Sequence, residues 1–228
     1  MARAPGPAFR LAALVLLVAP VAQAVIQLRL GGTPLFGLDG IPEGNLFHHA
    51  AALDILRTGT TEQDFQPPGY GALLAGVYAL MGADPGWMKV LQIALLPVVV
   101  AATASLGASV GGPRVALLAA GICAVHPALP RYALQLHGDL FACVGVAVFA
   151  AGALGLLHRG RGSAWLAALG LVLAVWVRPT WLLLLPSLGV VAWVAFGPRT
   201  ALRVLGPSLV AAVAVLTLNL ALFPPGYR

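Results

Sequence analysis

Three ionisable side chains stand where this otherwise apolar chain could do chemistry. Glu43 directly precedes an apolar stretch, so its carboxylate could face both water and the surface of a bilayer. Asp139 follows His137 at the start of another apolar run, and Arg178 lies between two such runs. An unpaired charge inside a membrane costs on the order of 3 kcal/mol, and residues that carry one are usually functional. Carboxylates transfer protons, and an arginine binds an anion through two parallel hydrogen bonds.

Two of these residues also have a structural interpretation. Arg178 can extend its head group to the outer interface from a helical hairpin. Asp139 can cap the helix that it begins or pair with Arg131. His48 and His49 are more typical of an interface than of a metal site, and the sequence has no His, Cys and Asp cluster with metal-ligand spacing. The identity of any metal is left unassigned.

The composition defines the class of protein that must position these residues. Hydrophobic residues make up 60% of the 228, and charged residues only 9%, which is too few to cover a solvated surface. The net charge of +6 comes almost wholly from arginines scattered between apolar segments, which orients a protein in a bilayer and does not indicate nucleic-acid binding. We therefore predict an all-α, polytopic transmembrane helical bundle that forms a single membrane domain over residues 1–228.

The apolar segments predict about seven spans. The first covers residues 11–29, and the six others lie within residues 87–223. Their approximate ranges are 87–107, 115–130, 139–157, 163–178, 180–196 and 204–223. A signal peptide cleaved after the Ala22-Gln23-Ala24 pattern is the alternative for the first segment.

The apolar segment at residues 69–82 lies in the long loop 30–86 and decides the topology. At about 1.5 Å per residue it is too short to cross a core roughly 30 Å thick. If it does not cross, one side of the membrane collects seven arginines and no acid: Arg3, Arg10, Arg114, Arg159, Arg161, Arg199 and Arg203. The other side collects all seven acids: Asp39, Glu43, Asp54, Glu62, Asp64, Asp84 and Asp139. The positive-inside bias then predicts a cytoplasmic N-terminus and an extracytoplasmic loop with interfacial helices at 45–57 and 69–82.

The order of motifs along the chain resembles a known family. The first set is Glu43, Phe47, Ala51 and Gly59, followed by Pro67-Pro68-Gly69-Tyr70. The stretch "GGPRVALLAAGICAVHPALPRYALQLHGDLFACVGV" follows with Asp139 near its end, and then "LAVWVRPTWLLLLP". Together they resemble the N-terminal half of the GT-C class of membrane glycosyltransferases that use polyprenyl-phosphate sugars, such as protein O-mannosyltransferases and lipid A aminoarabinose transferases.

The resemblance implies an enzyme of the cell membrane, a glycosyltransferase that moves a hexose or pentose. It would take the sugar from a polyprenyl-phosphate donor to a lipid, glycan or protein acceptor at the outer face. It implies Glu43 as the general base and Asp139 as the second catalytic carboxylate. The substrate and phosphate-binding residues that it implies are Arg178, Arg131, Lys89, His137 and Tyr70. This chain has Glu43-Gly44 where the family has an Asp-Glu pair, so a divalent cation, Mg²⁺ or Mn²⁺, is an open option and no cofactor is assigned.

Two other function classes remain. The chain is about half as long as members of that family, which fits a truncated or non-catalytic membrane subunit that has the same fold and a second membrane subunit as its partner. A transporter would carry ionisable residues in mid-helix or inverted repeats with broken helices. The acids crowd one outer loop instead, and this pattern favours a catalytic face over a conduit.

Overall fold

The computed structural model describes residues 7–32, 34–39, 41–61, 67–159 and 163–223, and this part of the chain is helical without strands. The α-helices in chain order are α1 (Pro7–Gly31), α2 (Glu43–Thr58), α3 (Gly69–Met81), α4 (Pro85–Ala124), α5 (Ala128–Ala133), α6 (Asp139–Arg159), α7 (Ala164–Val177), α8 (Leu184–Phe196) and α9 (Pro198–Ala221). A 3-10 turn, Pro179–Leu183, joins α7 to α8. The predicted all-α class is confirmed.

Helix α4 is a hairpin with two arms. Gly112 has φ of 77°, a left-handed conformation that glycine adopts without strain, and it separates arm 85–110 from arm 113–124. The arms pack closely, because a Cβ on Gly107 would lie 2.7 Å from the carbonyl oxygen of Val115. The two predicted segments at this place are therefore two antiparallel helical arms.

The predicted segment 115–130 is wrong at its C-terminal end. The second arm of α4 stops at Ala124, and the short helix α5 follows after His126 and Pro127. A proline disfavours helical backbone at the residue before it, so the chain breaks there although it remains apolar. The break matters for the site, because α5 and the turn after it lead directly to α6.

Glycines bring α6 and α7 into direct backbone contact. A Cβ on Gly145 would lie 2.5 Å from the carbonyl oxygen of Gly170, and one on Gly152 would lie 2.8 Å from the backbone nitrogen of Ala167. Helix α9 packs against α7 as well, and Phe149 of α6, Ala167 of α7 and Ala212 of α9 belong to one buried apolar core. Small residues at such contacts let membrane helices approach closely. The close antiparallel packing places the start of α6 beside the end of α7.

Residues 34–61 and 67–84 cover one end of the bundle, which we call the loop end. There the amide of Thr61 donates to the carbonyl of Leu222 at 3.0 Å, and Gly69 contacts the backbone of Trp176. The opposite end, which we call the turn end, holds the α4 turn at Gly112, the start of α7 and the α8–α9 junction.

The described acids lie at one end of the bundle, whereas cations lie at both ends. All acids of the described residues lie at the loop end: Asp39, Glu43, Asp54, Asp84 and Asp139. Helix positions place five arginines toward the turn end: Arg10, Arg114, Arg159, Arg199 and Arg203. Arg3, Glu62, Asp64 and Arg161, which entered the same prediction, lie outside the described residues.

Four helices in the described part of the chain are long and apolar enough to cross a membrane. Their spans are Phe9–Gly31, Pro85–Ala124, Asp139–Leu156 and Pro198–Ala221. Shorter apolar helices occupy Gly69–Met81, Ala164–Val177 and Pro179–Val190. The finding supports a membrane protein with several apolar helices.

Candidate functional site

Asp139 and Arg178 meet at the loop end because of how α6 and α7 pack. Asp139 is the first residue of α6 and Arg178 directly follows α7, so the antiparallel contact brings them together. Arg178 Nε lies 2.6 Å from Asp139 Oδ1. The side chains are 39% and 30% exposed, so water still reaches the pair. Gly138 permits this approach, because a Cβ there would collide with the side chain of Val177.

His137 closes the pair into a three-residue ring. Its Nδ1 lies 3.0 Å from Asp139 Oδ2, and its Nε2 lies 3.4 Å from Arg178 Nη2. Since arginine can only donate, Nε2 accepts in this contact, and a neutral ring then carries its proton on Nδ1, which faces the carboxylate. The amide of Asp139 also lies 3.4 Å from Nδ1 and donates to it only in the other tautomer. Burial lowers the pKa of His137; the carboxylate of Asp139 opposes this effect and the charge of Arg178 adds to it.

A second histidine, His48, lies near His137 of this three-residue ring. His48 of α2 is buried, its ring centroid is 6.1 Å from that of His137, and it forms an edge-to-face contact with Tyr70 in which the centroids are 4.6 Å apart. Burial, together with smaller contributions from His137 and from the charge of Arg178, lowers the pKa of His48 to about 3. His48 is therefore neutral at physiological pH. Its Nε2 is buried without a hydrogen-bond partner among the described residues.

Tyr70 and Gln92 fix the backbone segment that directly precedes His137. The hydroxyl of Tyr70 donates to Gln92 Oε1 at 2.6 Å, and both side chains are buried. Gln92 Nε2 in turn donates to the carbonyls of Tyr132, Ala133 and Gln135 at 3.1, 3.0 and 2.7 Å. One glutamine thus joins α4, α3 and the α5–α6 connection. Burial raises the pKa of Tyr70 well above its usual value, so the hydroxyl keeps its proton.

Helices α2 and α3 pack on each other at this end. His49 Nδ1 lies 2.6 Å from the hydroxyl of Tyr78, and a Cβ on Gly71 would lie 3.2 Å from that of Ala51. Burial raises the pKa of Tyr78, and the nearby carboxylate of Asp84 raises it further. The two helices therefore position His48 and Tyr70 together.

The structure gathers only part of the residue set that the sequence predicts. Asp139, His137 and Arg178 form the ring, and Tyr70 lies beneath it. Glu43 is exposed in the first turn of α2 and forms no ion pair with another described residue. The predicted alternative pair of Asp139 with Arg131 is not formed, because α7 brings Arg178 to the carboxylate instead.

Lys89 and Arg131 occupy contrasting surroundings. Lys89 is buried near the start of α4, and its Nζ donates to the carbonyl of Pro34 at 3.2 Å. Arg131 is exposed on α5. Neither side chain joins the ring in the described residues, so Arg178 is the cation of this site.

Sequence reasoning assigned no role to Gln92 and an interfacial one to His48. The signal for Gln92 was available, because it is a polar residue inside an apolar run, where such residues need a partner. His48 had no comparable signal, since its burial depends on α3 and on the connection to α6.

The described residues hold no group of three or more His, Cys, Asp or Glu that could bind a metal ion. No protein-family model, curated protein or solved structure matches the chain.

Proposed function

We propose that this protein is a membrane glycosyltransferase that moves a sugar from a polyprenyl phosphate to a lipid, glycan or protein acceptor. The observation that carries the proposal is the ring of His137, Asp139 and Arg178 at the loop end, next to the two-helix unit of α2 and α3. Asp139 and His137 fix Arg178 through Nε and Nη2. Its remaining N–H donors, including both on Nη1, are suited to a phosphate.

The chemistry requires a base and an anion site. The acceptor oxygen or nitrogen attacks the anomeric carbon, its proton passes to a carboxylate, and the bond from carbon to the phosphate oxygen breaks. In this proposal Glu43 takes the proton. The lipid phosphate leaves with the bonding electrons, and Arg178 stabilises the negative charge that develops there. Asp139 positions the guanidinium.

The proposed topology puts the loop end outside the cell and the N-terminus in the cytoplasm. Seven membrane segments, with α4 contributing both arms, and interfacial placement of α2 and α3 fit the position of the described acids at the loop end and of five arginines toward the turn end. In a variant without Cys123 and Cys143, single cysteines at exposed Thr58 and Ser163 test this arrangement. An impermeant thiol reagent added to intact cells should label the first and not the second. The reverse pattern would contradict the topology.

Transfer itself can be measured with the purified chain in liposomes that contain polyprenyl-phosphate sugars and a mixture of acceptors. We expect transfer by the wild type and its loss in Glu43→Gln, a substitution at an exposed position that should leave folding intact. Asp54→Asn is the matched control, because it removes another carboxylate of the same helix. Equal activity in Glu43→Gln would remove Glu43 from the mechanism.

A non-catalytic membrane subunit is the second candidate. Both carboxylate oxygens of Asp139 are engaged, and Glu43 forms no ion pair with a described residue of the ring, an arrangement that a purely structural ion pair would also show. A folded wild type that transfers no sugar alone, and does so after addition of a second membrane protein, would favour this candidate.

A further inference from the structure

An apolar groove lies between α1 and the two arms of α4, near the turn end. Its volume is about 420 Å³, within the range of small-molecule sites in proteins. Phe9 and Ala13 of α1 line one wall, Ala101 and Ala104 the second, and Leu117 the third. The groove is far from the ring at the loop end, so it needs an explanation of its own.

Small side chains leave this groove open. Alanines face one another across the three helices, and the turn at Gly112 and Pro113 borders the groove. The groove ends toward the loop end, where Val100 and Ala120 of its lining are buried together with Ala124. The gap is therefore local to the turn end.

Two arginines stand beside the groove. Arg10 precedes Ala13 by three residues and Arg114 precedes Leu117 by three, and residues at this spacing are neighbours on one helix face. Both arginines are exposed, and neither forms an ion pair with another described residue. The described acids all lie at the opposite end of the bundle, so the field around the groove is positive.

We propose that this groove binds an anionic phospholipid, with Arg10 and Arg114 at its phosphate and an acyl chain against the alanines. Basic pockets between transmembrane helices bind anionic lipid head groups, because their positive side chains attract the phosphate. The apolar wall excludes a free phosphate as the main ligand, because only a lipid uses both the charge and the groove. The site is independent of sugar transfer.

Native mass spectrometry of the full chain in detergent micelles can test the proposal. The probes are phosphatidylglycerol and phosphatidylcholine with identical acyl chains, titrated separately. We expect tighter retention of phosphatidylglycerol and an apparent Kd that rises about tenfold for it in the Arg10→Gln, Arg114→Gln double variant. The matched control is Arg199→Gln with Arg203→Gln, which removes two exposed arginines of α9 and should leave the Kd unchanged.

A second pair of variants tests the groove apart from the charges. Ala101→Phe places a large side chain in the groove and should weaken phosphatidylglycerol binding, whereas Ala94→Phe, seven residues earlier at another exposed position, should not. Equal retention of the two lipids would overturn the proposal. Unchanged phosphatidylglycerol binding in the Arg10→Gln, Arg114→Gln double variant, or in Ala101→Phe, would overturn it too. Competition by soluble glycerol phosphate as strong as that by the lipid would also overturn it. A change from dimer to monomer in Ala101→Phe would do the same, because it would identify a second copy of the chain as the occupant.

Discussion

Gly170→Ala is expected to lower the free energy of unfolding by about 3 kcal/mol. The added Cβ would collide with the backbone nitrogen of Phe149 and lie 2.6 Å from the carbonyl oxygen of Gly145. Because both contacts are with backbone, no side chain can rotate away, and α6 and α7 must separate. The separation also opens the core that α7 shares with α9. Reversible unfolding in mixed micelles, followed by circular dichroism, measures the change.

Gly76→Ala is the matched control for this prediction. A Cβ on Gly76 of α3 meets nothing within 4 Å, so the same substitution adds a methyl group without a collision. Alanine favours helix by up to about 1 kcal/mol over glycine, and we expect unchanged or higher stability. Equal stability of Gly170→Ala and the wild type would show that the contact between α6 and α7 is looser than the structure has it.

Asp139→Asn is expected to cost about 2 kcal/mol of stability, the second largest effect. The substitution leaves the half-buried guanidinium of Arg178 without a counter-charge. Loss of one partner costs little in a surface ion pair and much more in a fully buried one, and this pair lies between the two cases. His137 cannot compensate, because its protonated form would add a second positive charge. The same unfolding measurement at pH 7.5 gives the value.

Arg178→Gln should cost less, and its cost should depend on pH. The charge of Arg178 lowers the pKa of His137, while Asp139 raises it, so removal of the arginine raises the folded-state pKa of His137. In the wild type the folded-state pKa of His137 lies below the unfolded value of about 6.5, so stability falls as pH falls through this range, because the unfolded state binds the proton more readily. A folded-state pKa that is less depressed reduces this loss at low pH. Protonated His137 then pairs with Asp139 in place of Arg178. We therefore expect a smaller loss at pH 5.5 than at pH 8.

Nuclear magnetic resonance of the His137 ring provides a direct check of this mechanism. Its titration midpoint should move up in Arg178→Gln relative to wild type. His126→Gln removes an exposed histidine and should leave the midpoint unchanged. A midpoint that stays the same or moves down in Arg178→Gln would mean that the guanidinium does not lower the pKa of His137, and the three-residue ring would be wrong.

The sequence alone determined the class of protein and most helix positions. High apolar content, with charges only between apolar runs, permits little but a helical membrane bundle. Glycine and proline mark the breaks, and so the α4 turn and the boundaries of α1, α2, α3, α6 and α7 follow closely from local patterns. The position of all described acids at one end follows as well, because it depends only on the number of times the chain reverses direction.

The tertiary structure alone decided which charged residues meet. From the sequence Asp139 had Arg131 eight residues away as a candidate partner, yet it pairs with Arg178. Local patterns describe each helix but not its neighbour, and Gly145 and Gly170 select that neighbour by letting two backbones touch. The burial of Lys89 and His48 has the same origin, since it is created by residues far along the chain that pack over them.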